Sequence, residues 1–227
     1  MNLNADLGEA GGEDEAILAQ IDSACVACGV HAGSVSISIA TMSRCRVLGV
    51  EVGAHPGYDD RPNFGRVEVP VSVEEIETLV AFQVAGLAAI GPIAFVKPHG
   101  ALYRRCQQDR DAADALSRVA KLHGVGLIGQ PGFEIIAAAE RAGIPGYREG
   151  FADRLLLEDG SLAPRNQPGA VLDPQRAVQQ AVEMATGGRY DTICIHGDTE
   201  GAGQVAAAVR EALRAAGIAT GPLTRSR

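Results

Sequence analysis

Short apolar runs of strand type alternate with helical stretches seven times along the chain, and this alternation restricts the fold more than any other feature. Strand, helix, strand repeated in this way means parallel strands joined by right-handed crossovers. The runs are apolar almost throughout and bounded by glycine, as expected of strands covered on both faces. The strands are expected at 1–6, 24–29, 50–54, 93–96, 125–129, 146–151 and 192–195. The helices are expected at 13–21, 34–48, 72–90, 109–123, 132–142, 173–186 and 201–216. Their ends carry capping signals: Ser34 before and Gly49 after the second helix, the capping box Ser72-Val73-Glu74-Glu75, and Asp173-Pro174. Residues 155–170 are turn-rich, with a short hairpin expected around Asp159-Gly160.

Two architectures fit, an open doubly wound sheet and a closed β/α barrel. Polar groups follow at least five of the strands. That suits a ring of loops around one mouth better than a single switch point, so a parallel β/α barrel of the TIM type is expected. Residues 1–222 read as one barrel domain and 223–227 as a polar, frayed C-terminal tail. Hydrophobic residues make up 46% of the chain, enough for a sizeable core. The formal net charge of −8 and absence of a basic stripe argue against nucleic acid or an anionic membrane as partner. Asp6 and Glu9 interrupt any leader, no apolar run approaches membrane-spanning length, and the cysteine count of five is odd. A reducing, cytoplasmic location follows as the expectation. Cys25 and Cys28 have zinc-pair spacing but no second pair, and read as packing residues.

Four of the five histidines stand where an apolar run meets a glycine turn: His31, His55, His99 and His196. Asp6, Lys97 and Asp153 occupy equivalent positions. In a barrel all seven converge on one pocket, where ionisable groups shift one another's pKa values and imidazoles beside carboxylates share protons. The same set suits a divalent ion, with Asp6, His31, His55, His99 and His196 as ligands. His123 lies off the pattern, at a helix end. Arg66, Arg154 and Arg165 lie in loops beyond strands, where guanidinium forks suit carboxylate or phosphate. The long loop at 56–66 is expected to work on a ligand. There is no Gly-x-Gly-x-x-Gly or Gly-Lys-Ser phosphate loop and no nucleophile elbow. The glycines at 197, 201 and 203 offer backbone donors to an anion at the start of the last helix.

Seven ordered blocks carry a resemblance. They are Asn4-Ala5-Asp6-Leu7-Gly8-Glu9, Ala27-Cys28-Gly29-Val30-His31-Ala32-Gly33, Gly53-Ala54-His55-Pro56-Gly57-Tyr58, Phe64-Gly65-Arg66, Val96-Lys97-Pro98-His99-Gly100-Ala101-Leu102-Tyr103, Phe151-Ala152-Asp153-Arg154 and Cys194-Ile195-His196-Gly197-Asp198. Together they resemble the LamB/YcsF family, whose members are regarded as the A subunit of the bacterial ATP-dependent 5-oxoprolinase. This chain departs from the family pattern at Ala5, at Ser34-Val35 and in the loop 59–63. The resemblance implies a seven-stranded β/α barrel of the glycoside hydrolase/deacetylase type. It implies a reaction in which 5-oxo-L-proline, ATP and water give L-glutamate, ADP and phosphate, with the B and C subunits of 5-oxoprolinase as partners and ATP as co-substrate. On that reading Asp6 or His55 is the expected base, and Lys97 with His99 gives electrostatic support. His31, Tyr103, Asp153, Arg154, His196 and Asp198 are the expected substrate contacts. Two other readings stand beside it: a stand-alone metal-dependent amidohydrolase or deacetylase, and a non-catalytic subunit that binds 5-oxoproline.

Overall fold

A computed structural model of the chain describes every residue except Ala10, Thr199, Glu200, Ser226 and Arg227. Its strands are β1 (Asn2–Leu7), β2 (Ser23–Ala27), β3 (Glu51–His55), β4 (Phe95–Val96), β5 (Gly126–Gly129), β6 (Gly146–Phe151) and β7 (Thr192–His196). They pair in sequence order, all parallel, and β7 closes onto β1. The expected seven-stranded parallel barrel is therefore the fold. The register sets Asp6 level with His196 and with Cys25, and Ala27 level with His55. All strand C-termini thus reach one rim.

Alternation along β1 shows how the sequence fills this barrel. Leu3, Ala5 and Leu7 point outward and join the apolar layer under the helices. Asn2, Asn4 and Asp6 share the other face and are buried. The lumen is accordingly polar. Asn2 donates to Ser23 Oγ at 2.8 Å, and Asn4 donates to Thr192 Oγ1 at 2.8 Å and to Glu149 Oε1 at 3.1 Å. Burying so many polar groups is tolerable because they satisfy one another. Lower down, Phe95 fills the lumen beside Gly53, where any Cβ would collide with the Phe95 ring.

The helices are α1 (Asp14–Leu18), α2 (Val35–Leu48), α3 (Val73–Ile90), α4 (Gly100–Gln108), α5 (Arg110–Leu122), α6 (Glu134–Ala142), α7 (Pro174–Thr186) and α8 (Ala202–Ala215). The caps fall at the expected positions. Ser34 accepts from Ile37 N, Ser72 and Glu75 form the reciprocal box, Asp173 accepts from Arg176 N, and Gly49 is left-handed. Antiparallel bridges Leu156–Leu162 and Arg154–Val171 form the hairpin expected near Asp159-Gly160. Among the described residues no helix is long and apolar enough to cross a membrane, and all five cysteines are free.

Four details depart from expectation. Helix α4 is not foreseen from the sequence because Pro98-His99-Gly100 looks like a plain turn. Gly100 is there for closeness instead: a Cβ on it would lie 2.6 Å from the Gly65 carbonyl oxygen, and Ala101 N donates to that same oxygen at 3.0 Å. Helix α1 is only five residues long, although Ile17, Leu18 and Ile21 are buried as its periodicity requires. The start of α8 is not open to an anion, because the Glu13 carboxylate accepts from Gly201 N at 2.8 Å and Gly203 N at 2.7 Å. Finally, the tail is seated rather than frayed as far as Thr224. Leu223 N and Thr224 N donate to the Glu51 carboxylate at 3.1 and 3.2 Å, and Leu223 packs with Cys25, Phe95, Ile128 and Tyr147 at the barrel floor. The last two residues of the expected tail, Ser226 and Arg227, lie outside the described residues.

Candidate active site

Pro98 ends β4 and leaves Lys97 extended, aimed into the lumen. Its ammonium lies 2.9 Å from Asp6 Oδ1 and 2.8 Å from Glu149 Oε1, with Cys194 Sγ at 3.1 Å and Asn4 Oδ1 at 3.3 Å. Lys97 is only 2% exposed. Burial works against its charge, yet Asp6 foremost, with Glu149, holds its pKa well above the ordinary lysine value. Burial would likewise raise the Asp6 carboxyl, but its neighbours His55 and Lys97 more than offset it, and Asp6 titrates well below the carboxylate range. For Glu149 burial wins, and its pKa is raised despite Lys97. Tyr103 OH, on α4, donates to Glu149 Oε2 at 3.2 Å.

A second cluster adjoins the first. Glu9, in the loop after β1, lies 3.2 Å from His31 Nε2, 3.1 Å from His99 Nδ1 and 3.7 Å from His55 Nε2. His31 and His99 stack with ring centroids 4.1 Å apart, and His55 meets both rings edge-on. His55 Nε2 is also 3.5 Å from Asp6 Oδ2, so the two clusters share an edge. Burial pushes His55 down to about 3, against the pull of Asp6. Burial also lowers His31, although its bond to Glu9 opposes this. Space for the His31 ring comes from glycines: a Cβ on Gly57 would lie 2.6 Å from His31 Nδ1, and one on Gly65 would lie 2.9 Å from His31 Cβ.

On the far side of Lys97, His196 Nδ1 lies 2.9 Å from Asp153 Oδ1, and its ring stacks on Phe151. Burial depresses the imidazole, but the Asp153 carboxylate outweighs burial and the net shift is upward. Above these groups opens a cavity of about 450 Å³ whose lining includes Asp6, His55, Lys97, His99, Tyr103 and His196. Arg66, Arg154 and Arg165 line it as well. Arg165 Nη2 lies 2.6 Å from Asp198 Oδ1, and Arg66 pairs with the same carboxylate. Arg154 donates to the Ala163 carbonyl at 2.7 Å and the Ala170 carbonyl at 3.2 Å, so it also braces the loop that roofs the cavity.

Of the seven strand-end residues expected to converge, Asp6, His55, Lys97, His99 and His196 line this cavity, and Asp153 reaches it only through His196. His31 sits behind His99 rather than on the cavity wall. The model of the LamB/YcsF family matches residues 1–227. The chain belongs to the LamB/YcsF family. A relative in Chloroflexus aggregans, named as the A subunit of 5-oxoprolinase, is 41% identical over 243 aligned positions, covering 96% of each chain. The crystal structure of a lactam utilization protein from Thermus thermophilus superposes with a TM-score of 0.89 at 37% identity, covering 97% of this chain and 98% of that one. A T48 deacetylase with substrate, 15% identical with a TM-score of 0.58 over 99% of this chain and 88% of its own, shares the fold.

In this LamB/YcsF chain, two carboxylates at the centre escape the strand-end pattern. Glu9 sits in a family block three residues after Asp6, but in a loop. Glu149 lies inside β6, between Tyr147 and Phe151 on the same face. A period-two reading of that strand, with a lone carboxylate on the buried face, is the signal that would have found it.

Proposed function

We propose that this chain is the A subunit of a cytoplasmic ATP-dependent 5-oxoprolinase. In the complex it opens the lactam of 5-oxo-L-proline to L-glutamate, with ATP as co-substrate and the B and C subunits as partners. The observation that carries this reading is the full-length similarity to relatives of that name at about 40% identity. The cavity supports it, being of a size that suits a small ligand.

Lactam carbonyls are poor electrophiles, and ATP supplies the phosphoryl group that activates them. With the carbonyl oxygen phosphorylated and ADP released, water adds at the carbonyl carbon, the C–N bond breaks, and the ring nitrogen leaves as an amine carrying an added proton. A second water then splits the resulting acyl phosphate into the side-chain carboxylate of glutamate and inorganic phosphate. His196 suits both proton transfers. Asp153 holds its Nδ1–H, which leaves Nε2 to take a proton from water and return it to the nitrogen. Asp6, expected as a base, is too acidic beside Lys97 for that task. Its role is instead to orient groups next to the ammonium, with His55 and His99 beside it on the cavity wall. Lys97 keeps Asp6 and Glu149 in place and adds positive potential beneath the developing oxyanion. Arg165, Arg154 and Arg66 on the cavity wall receive the substrate carboxylate.

Glutamate and ADP release by the complex reconstituted with the B and C subunits tests this. His196→Asn is expected to lower kcat by about 10²–10⁴-fold. Turnover by the B and C subunits alone that this chain does not increase would overturn the assignment. Hydrolysis of lactams by the isolated chain without ATP would favour a stand-alone amidohydrolase. Substrate binding with wild-type turnover in every pocket variant would leave a purely presenting role.

A further inference from the structure

The Glu9, His31, His55 and His99 cluster has a feature the lactam reading leaves unexplained. One carboxylate oxygen and three ring nitrogens, delivered by four separate segments, lie within 4.8 Å of one another. Backbone carbonyls fix the protons on two of the rings. His55 Nδ1 lies 2.7 Å from the Lys97 carbonyl oxygen, and His99 Nε2 lies 2.8 Å from that of Phe64. A carbonyl only accepts, so those two nitrogens carry the hydrogens. The inner nitrogens, His55 Nε2 and His99 Nδ1, therefore present lone pairs, and they face each other at 3.0 Å. Glu9 Oε1 adds a third acceptor, 3.1 Å from His99 Nδ1 and 3.7 Å from His55 Nε2. Three buried acceptors aimed at a common point repel unless positive charge stands among them.

An imidazole that gives its outer N–H to a backbone carbonyl is the usual support for a metal ligand. In a tetrahedral site with bonds of 2.0–2.1 Å, neighbouring donor atoms sit about 3.3 Å apart. Four of the six separations, 3.0, 3.1, 3.2 and 3.7 Å, straddle that value, and all six are within 4.8 Å. We propose that Glu9, His55 and His99, with His31 Nε2 as the fourth donor, form a binding site for a divalent transition-metal ion of the zinc type. The donor set of imidazoles with one carboxylate is that of a borderline ion rather than calcium or magnesium. Bound there, the ion sits beside Asp6 at the inner wall of the cavity. The competing occupant is a single proton that converts one imidazole to imidazolium.

Titration of the isolated, chelator-treated chain with Zn²⁺ by calorimetry, and with Co²⁺ by visible absorption, decides between ion and proton. The expected result is one equivalent bound, with the intense visible bands of tetrahedral Co²⁺. Glu9→Gln and His99→Asn are each expected to weaken affinity by at least about 100-fold, whereas His196→Asn leaves it unchanged. Circular dichroism of each variant shows whether it has folded, and either variant alone carries the comparison. No stoichiometric binding by the wild type would overturn the site in favour of the proton. Binding lost in His196→Asn but kept in Glu9→Gln would overturn it in favour of the neighbouring Asp6, Cys194 and His196. Partner subunits, lactam and ATP are absent from this measurement, so its failure is separate from failure of the 5-oxoprolinase reading.

Discussion

The ammonium of Lys97, just beyond β4, lies 2.8 Å from Glu149 Oε1 inside β6, and both side chains are almost wholly shut off from solvent. With Asp6 on the other side, one cation holds two buried carboxylates. Removing one partner of such a group strands the others, which is far costlier than replacing the whole group. Lys97→Met is expected to destabilise the chain by about 3–5 kcal/mol, whereas Lys97→Met combined with Glu149→Gln recovers part of that loss. Urea unfolding of the two variants checks this, and equal stabilities would show that Glu149 does not depend on Lys97.

A pH profile examines the His196–Asp153 pair. Asp153 lifts the His196 pKa above its ordinary 6.5, and only the neutral ring accepts a proton. Activity of the complex is therefore expected to rise with pH through that elevated value. Asp153→Asn removes the charge, so the rising limb should shift to lower pH while the plateau falls. An unmoved limb would take His196 out of the proton transfer.

The signs for stability are opposite in the two clusters. The pKa of His55 falls from 6.5 to about 3 on folding. Its contribution is complete above 6.5 and is lost as pH falls toward 3, because the unfolded chain takes up a proton that the native one refuses. His31 shifts in the same direction. The raised His196 instead stabilises fully below 6.5 and loses that contribution as pH rises through its folded value. Metal-free protein is expected to lose a few kcal/mol between about pH 6.5 and 4. His55→Asn should flatten this slope in denaturation measured at several pH values.

Much of this was legible beforehand, and the exceptions share a cause. Asp6, His55, Lys97, His99 and His196 could be placed because each ends an apolar run, and a parallel barrel sends all such ends to one rim. Ser34, Ser72 and Asp173 marked helix starts because capping is local chemistry. Glu149 and α4 were hidden because their reasons are distant in sequence. Glu149 is buried only because Lys97, Asn4 and Tyr103 surround it. Gly100 begins a helix only because Gly65 stands against it. The closure of the N-terminus of α8 by Glu13, 188 residues from Gly201 along the chain, is of the same kind.

Glycines around the histidines give a further test. Gly57→Ala places a Cβ 2.6 Å from His31 Nδ1, so the ring must move. A loss of about 1–3 kcal/mol is expected from this overpacking. Gly12→Ala, with nothing within 4 Å of the added Cβ, should stay within about 0.5 kcal/mol. Thermal unfolding of the pair compares them directly, and a silent Gly57→Ala would mean that His31 is not held where it is seen.

Met1 and the segment at 221–224 meet beneath the floor of the barrel. Gly221 N donates to the Met1 carbonyl, Asn2 Nδ2 donates to the Gly221 carbonyl, and the turn beyond is fastened to Glu51. A short peptide splice between them would close the polypeptide into a ring without disturbing the histidines at the opposite pole. New termini could then be opened in an outer loop, with the cavity mouth still facing the solution.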